Sequence, residues 1–286
     1  MAMAKKVTFK TLNEDALIFK VFKSSDSGNA TWEQLKNNLL ADKNVYWDVR
    51  KDNYINAYFE GANLMCLHYC SRNKEMQAKI HEKYLGESDK HYTDLIKWLD
   101  GKNVSDELDK IKSNIKRVYS QKNGDDKEKW SESFIKSQYI LKNHSCCIDS
   151  EFGYKDTDLN LNIRIDVVKC IDGEIKFVEI KRLGDNRMLK ETDESPEVVK
   201  QIKDYSKFIK DNKNAILEYY QKLWAIKNDL GILPDGMSKP IKIDVVPELY
   251  IFNQWVKEHP KRDNRKERIE KILKREKISF TINSEF

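Results

Sequence analysis

The chain of 286 residues lacks a long hydrophobic run. None approaches the roughly 18–20 apolar residues that a membrane-spanning helix requires. Its first ten residues, MAMAKKVTFK, lack the apolar core of a signal peptide. Histidine is scarce and scattered, at 5 residues, which speaks against a histidine-based hydrolase. The 5 cysteines are equally scattered and odd in number. That argues against a disulfide framework and for a reducing, cytoplasmic setting. Three glycine motifs are missing: G-x-x-x-x-G-K-[ST], G-x-G-x-x-G and G-x-S-x-G. A P-loop ATPase, a dinucleotide-binding unit of the usual fingerprint and a nucleophile-elbow hydrolase are therefore set aside. There is no internal repeat and no low-complexity tract.

Charge, by contrast, is plentiful: 35% of residues are charged against 40% hydrophobic, as in a globular protein with a heavily charged surface. The net charge of +5 points only weakly to a polyanionic partner. Residues 257–277 hold ten Lys/Arg and five Asp/Glu, an excess that would suit phosphates but equally suits a solvated helix face. Cys66, His68 and Cys70 alternate, so a strand would put them on one face, read here as a buried one rather than a zinc site. Cys146 and Cys147 lie beside His144, and such adjacency rarely makes a catalytic dyad.

The first third reads as β-rich, with strands at 45–49, 54–60 and 63–69 after a helix from Thr31 or Trp32 to about Leu40. Helices are expected near 74–84, 92–99 and 104–119. The polar stretch 120–129, SQKNGDDKEK, reads as a linker. The expected organisation is an N-terminal α+β domain over 1–119, for recognition or dimerisation, and a second domain over 130–286. There, helix 129–141, a hairpin over 163–181 and helix 195–210 follow in turn. Ser195 would cap this third element, with Pro196 at its first position. Helix 214–230, one or two strands in 241–252, helix 264–276 and strand 278–282 complete the chain. Strands alternating with helices predict an α/β or α+β fold, a mixed β-sheet flanked by helices.

The hairpin carries the chemistry. Asp172-Gly173 between two apolar runs favours a type I′ turn. Opposed residues then sum to 345, which sets Asp166 against Glu179 and Arg164 against Lys181. These four share one face, and Ile163, Ile165, Val167, Val178 and Ile180 fill the other. Facing Cβ atoms in such a pair lie roughly 5 Å apart. Two carboxylates at that range repel, and a shared proton, a salt-bridge cluster with Arg164 and Lys181, or a divalent cation would compensate. Carboxylate oxygens suit Mg²⁺ or Mn²⁺. The lysine on the same face favours the cation, because an ammonium there could position a water or offset transition-state charge.

Asp166, twelve intervening residues, then Glu179-Ile180-Lys181 resembles the motif of the PD-(D/E)XK nuclease superfamily. The resemblance covers roughly 128–285. Its fold, the restriction endonuclease-like core, runs helix, three-stranded meander, helix, strand, close to the order read above. Ile165 stands where many members have Pro, and residues 149–154 would be the remaining meander strand. The resemblance implies Asp166 and Glu179 as metal ligands, with the Ile180 carbonyl as a further one, and Lys181 as the group that positions the attacking water. Many members carry another acid on the first helix, here Glu132, with Glu128 as the rival. Gln201 and Tyr205 are similar to a Q-x-x-x-Y pair in the exonuclease branch. With Arg164 they would face the metal site or DNA backbone. The expected function is a Mg²⁺- or Mn²⁺-dependent deoxyribonuclease, an endonuclease in restriction or defence against foreign DNA. A homodimer would be the simplest arrangement for double-strand cleavage. The other reading is a non-catalytic nucleic-acid-binding or scaffold module on the same fold.

Overall fold

The computed structural model describes residues 12–24, 29–88, 90–123, 127–156, 161–189 and 196–286, the last without 256 and 258. The fold is mixed α+β, with eight helices and two sheets among these residues. The N-terminal part opens with α1 (Leu17–Lys23) and α2 (Ala30–Ala41). Asn29 caps α2 by accepting from the Trp32 amide at 2.9 Å. Five antiparallel strands follow in sequential order: β1 (Val45–Arg50), β2 (Tyr54–Phe59), β3 (Ala62–Cys70), β4 (Glu75–His81) and β5 (Tyr92–Asp94). Helices α3 (Leu95–Leu99) and α4 (Val104–Asn123) complete this part.

Two expected helices are strands here. Residues 75–81 form β4, and 92–94 form β5 ahead of the short α3. In β4, Ala78 and Ile80 are buried and Lys79 is exposed, the period of a strand. Met76, Ile80 and Tyr84 also recur every four residues, so the local pattern admits a helix. Pairing along β3, Cys66 with Lys79 through Cys70 with Glu75, decides for the strand. Cys66, His68 and Cys70 lie on the half-exposed side of β3, not on a buried face. The expected linker begins inside α4, which runs on to Asn123 because polar residues such as Gln and Lys sustain a helix. Residues 124–126 lie outside the described residues.

The second sheet has six strands, ordered β11-β10-β8-β7-β6, with β9 beside β8. They are β6 (Cys147–Asp156), β7 (Leu161–Ile171), β8 (Glu174–Arg182), β9 (Lys242–Ile243), β10 (Glu248–Phe252) and β11 (Phe280–Asn283). The meander β6-β7-β8 is antiparallel, and β10 joins β8 and β11 in parallel. Helix α5 (Glu132–Lys142) covers one face, packing Ile135, Tyr139 and Ile140 on Val167, Val178, Ile180, Tyr250 and Phe252. The alternate positions of β8 and β10 serve the other face. There Phe177 meets α7 (Lys213–Asp229), and Leu249 and Ile251 meet α6 (Glu197–Asp211) and α8 (Pro260–Arg275).

Ser195 lies outside the described residues. Pro196 is itself the residue preceding α6, without a side-chain cap. The expected apolar stripe of α6, Val198, Ile202, Tyr205 and Ile209, is buried throughout. The hairpin turn has positive φ at both central residues, Asp172 at 50° and Gly173 at 73°, as a type I′ turn requires. Its register is the expected one from Ile171–Glu174 up to Val167–Val178. The apolar alternation breaks beyond that point. Val167, Val178 and Ile180 pack under α5, whereas Ile163 and Ile165 join the main core. The break falls where Glu151, at φ 58°, takes a left-handed backbone conformation between the pairs Ser150–Val167 and Phe152–Ile165.

The two sheets share one apolar core, in which Trp32, Ile55 and Leu64 from the N-terminal part join Phe152, Phe177 and Tyr220. A buried ionic cluster crosses the same boundary. Arg50 donates to Asp48 and Asp149, both at 3.2 Å, and to the Ser150 hydroxyl at 2.8 Å. Lys227 donates to Asp48 at 3.2 Å and to the Ile148 carbonyl at 2.9 Å. Gly61 in the β2–β3 turn, at φ 80°, lies so close to α5 that a Cβ there would stand 2.8 Å from the Ser133 carbonyl oxygen.

Candidate active site

Seven side chains singled out in the sequence converge on one cavity of about 320 Å³: Glu132, Arg164, Asp166, Glu179, Lys181, Gln201 and Tyr205. They come from α5, β7, β8 and α6. The cavity sits where β7 leaves β8. The ladder ends at Val167–Val178, and the Ile180 amide donates instead to Asp166 Oδ2 at 2.9 Å. Asp166 thus takes the place of a backbone partner, and its carboxylate is held between the diverging strands. On the other edge of β8, β10 pairs with residues 178–182 and keeps Glu179 and Lys181 rigid.

Glu179 and Lys181 are almost fully buried, at 2% and 1% exposure. The Lys181 ammonium donates to Glu179 Oε1 and, at 3.2 Å, to the Ile180 carbonyl. Gln201 donates from Nε2 to the same Glu179 oxygen at 2.9 Å and to the Tyr205 hydroxyl at 2.6 Å. Tyr205 in turn donates to the Arg164 carbonyl. The one-turn spacing on α6 therefore acts as a brace, tying β7 to the Glu179 carboxylate. Arg164 itself points its guanidinium outward and pairs with Glu151 at 3.1 Å.

Of the two candidate helix acids, Glu132 is the one that lines the cavity. It is the first residue of α5, with Ser131 as cap. Its Oε1 lies 3.9 Å from Lys181 Nζ and its Oε2 2.9 Å from Arg187. The rival Glu128 is occupied elsewhere: its carboxylate receives both terminal nitrogens of Arg262, at 2.7 and 3.1 Å, and its carbonyl accepts from Arg182 at 2.6 Å.

The cavity also holds residues that sequence reasoning missed, among them Ser133, Lys136, Glu151 and Arg187. Lys136 lies four residues after Glu132 on α5, a signal that was available. Glu151 sits on β6 level with Asp166, but its positive φ hides that register from any alternation rule. Lys136 pairs with Glu151. Arg187 follows β8 in a loop without periodicity. That loop is held by Arg265 of α8, which donates to the carbonyls of Leu183, Asp185 and Leu189 at 2.7–3.0 Å.

Burial and then the neighbouring Asp166 raise the Glu179 carboxyl to about 7, although Lys181 pulls the other way. Burial raises the Tyr205 hydroxyl to about 12, with Glu179 adding to it. Glu151 goes the opposite way: burial would raise it, but Lys136 and then Arg50 and Arg164 outweigh that and hold it at about 2. The acid pair is therefore short of positive charge despite its lysine. Glu179 Oε2 is buried and has no hydrogen-bond partner among the described residues. A buried carboxylate oxygen without a donor is costly, and a hard divalent cation is a partner that would satisfy it. Asp166, Glu179 and the Ile180 carbonyl are all oxygen donors of the type Mg²⁺ or Mn²⁺ accepts.

No protein-family model, curated protein or solved structure matches the chain.

Proposed function

We propose that the chain is a metal-dependent deoxyribonuclease, hydrolysing DNA phosphodiester bonds on a restriction endonuclease-like core. The observation that carries this reading is the meeting of Asp166, Glu179 and Lys181 with Glu132 in one open cavity, with the orphaned Glu179 oxygen among them. Asp166, Glu179 and the Ile180 carbonyl would hold Mg²⁺ or Mn²⁺. When bound, the ion would supply positive charge against the phosphate and make water more acidic.

The remaining work falls to side chains of this chain. Lys181 would orient the attacking water and balance the charge that develops as phosphorus is attacked. Gln201 fixes the Glu179 carboxylate through Oε1. Arg187, 41% exposed at its side chain, and the outward Arg164 offer guanidinium groups to phosphate oxygens at the cavity mouth. Glu132 restrains both Lys181 and Arg187. An internal cut, in restriction or defence, and assembly as a homodimer extend the same proposal.

The second reading, a non-catalytic nucleic-acid-binding or scaffold module, draws on the closed Lys181–Glu179 pair, by which the site partly neutralises itself. Plasmid nicking decides. The protein with Mg²⁺ or Mn²⁺ should nick supercoiled DNA, and Lys181→Ala should abolish nicking. Asp166→Asn should do the same while keeping an acceptor for the Ile180 amide. Equal nicking by all three proteins would expose a contaminant and sink the nuclease reading.

A further inference from the structure

Beside the candidate active site lies a larger cleft, about 520 Å³, between the two sheets. Glu151, Asn162 and Arg164 line both spaces, so the cleft and the site are neighbours across a shared wall. A volume of this size suits a ligand as large as a nucleoside. Its sides are aromatic and come from separate elements: Tyr54 from β2, Tyr154 from β6 and Tyr219 from α7. Aromatic side chains lining a cleft can stack on a nucleobase of any sequence.

The bottom of the cleft is polar and buried. Arg50 is fixed there by Asp48, Asp149 and Ser150. Asn56, 5% exposed, donates from Nδ2 to the Tyr58 hydroxyl at 2.8 Å. Its Oδ1 has no hydrogen-bond partner among the described residues. A buried acceptor without a donor is a cost that folding leaves standing. An N–H on the edge of a base, a ring imide or exocyclic amine, would satisfy it. Lys51, Lys155 and Arg164 are exposed at the rim, where backbone phosphates would pass.

We propose that this cleft receives the base of an unpaired nucleotide next to the phosphate held at the site. The inference rests on the nuclease reading and narrows its substrate. A base stacked and paired in a duplex cannot reach a buried floor, so the preferred substrate is single-stranded DNA or a strand with a base turned out.

The test uses the full chain and a fluorescein-labelled 12-nucleotide single strand of mixed sequence, read by anisotropy in EDTA. The same strand as a blunt duplex and thymidine monophosphate as competitor form the other arms. The wild type should bind the single strand at least tenfold tighter than the duplex. Tyr154→Ala should weaken single-strand binding by roughly 5–100-fold, the range for loss of a stacking partner. Lys155→Glu, an exposed change that leaves the fold alone, should weaken it too. Replacing one base with 5-iodouracil should give photocrosslinks at Tyr54, Tyr154 or Tyr219.

Equal binding of single strand and duplex, unchanged affinity in both variants, or crosslinks confined to other elements would each overturn the proposal. Competition by thymidine monophosphate as strong as by the oligonucleotide would overturn the polymer substrate. The two readings fail separately. Nicking lost in Asp166→Asn with tyrosine-independent binding leaves the nuclease and removes the pocket. Tyrosine-dependent single-strand binding without metal-dependent cleavage does the reverse.

Discussion

At the scale of single residues, two glutamates four positions apart, Glu128 just ahead of α5 and Glu132 at its first residue, have opposite duties. Glu128 holds Arg262 of α8 with both carboxylate oxygens. Glu132 instead faces Lys181 and Arg187 in the cavity. On the proposed nuclease function, Glu132→Gln should lower metal-dependent cleavage by about 10–100-fold, the usual range for a residue that orients a metal site from behind its ligands. Glu128→Gln should leave cleavage near the wild-type rate and cost less than about 1 kcal/mol of stability, because the pair it breaks is partly exposed. Parallel cleavage rates and thermal melts separate the two. A larger catalytic loss in the Glu128 variant would reverse the assignment.

At the scale of elements, the hairpin β7–β8 sets the register of the site and its turn sets the hairpin. Gly173 has a φ of 73°, and a Cβ there would come within 3.0 Å of the Lys239 carbonyl oxygen. Gly173→Val should cost about 1–3 kcal/mol through backbone strain in the turn. A circular-dichroism melt should show the midpoint falling by several degrees. An unchanged midpoint would mean that β9 and the 239–241 segment yield, and that the turn does not govern the register.

At the scale of the whole molecule, a buried ionic cluster joins the sheets and makes their union sensitive to pH. Burial, and then the neighbouring Asp48, raise the Asp149 carboxyl to about 7 against an ordinary 3.8. Between those values the unfolded chain has released this proton while the folded chain still holds it. Stability from this group therefore falls as pH rises through that window and is fully present only below it. The thermal midpoint should decline from pH 5 to pH 8, and Asp149→Asn should show a shallower decline. Glu179 is raised in the same direction, whereas the lowered His144 and Cys146 act the other way, so the difference in slope between the two proteins is what reports on Asp149. Parallel slopes for the two proteins would show that Asp149 does not titrate in this range.

The hairpin, its type I′ turn, the buried stripe of α6 and the α+β class were legible in the sequence. Each depends on neighbours close along the chain, where side-chain period and turn chemistry act directly. Met76, Ile80 and Tyr84 were not enough to tell β4 from a helix, because only pairing with β3 separates the two periods. Only the tertiary structure puts Glu132 rather than Glu128 at the cavity, since an arginine 134 residues away claims Glu128. It also brought Glu151 and Arg187 to the cavity through a positive-φ position within β6 and an irregular loop, which carry no periodicity. The cleft between the sheets belongs to the same category. Its walls come from β2, β6 and α7, and packing rather than local pattern brought them together.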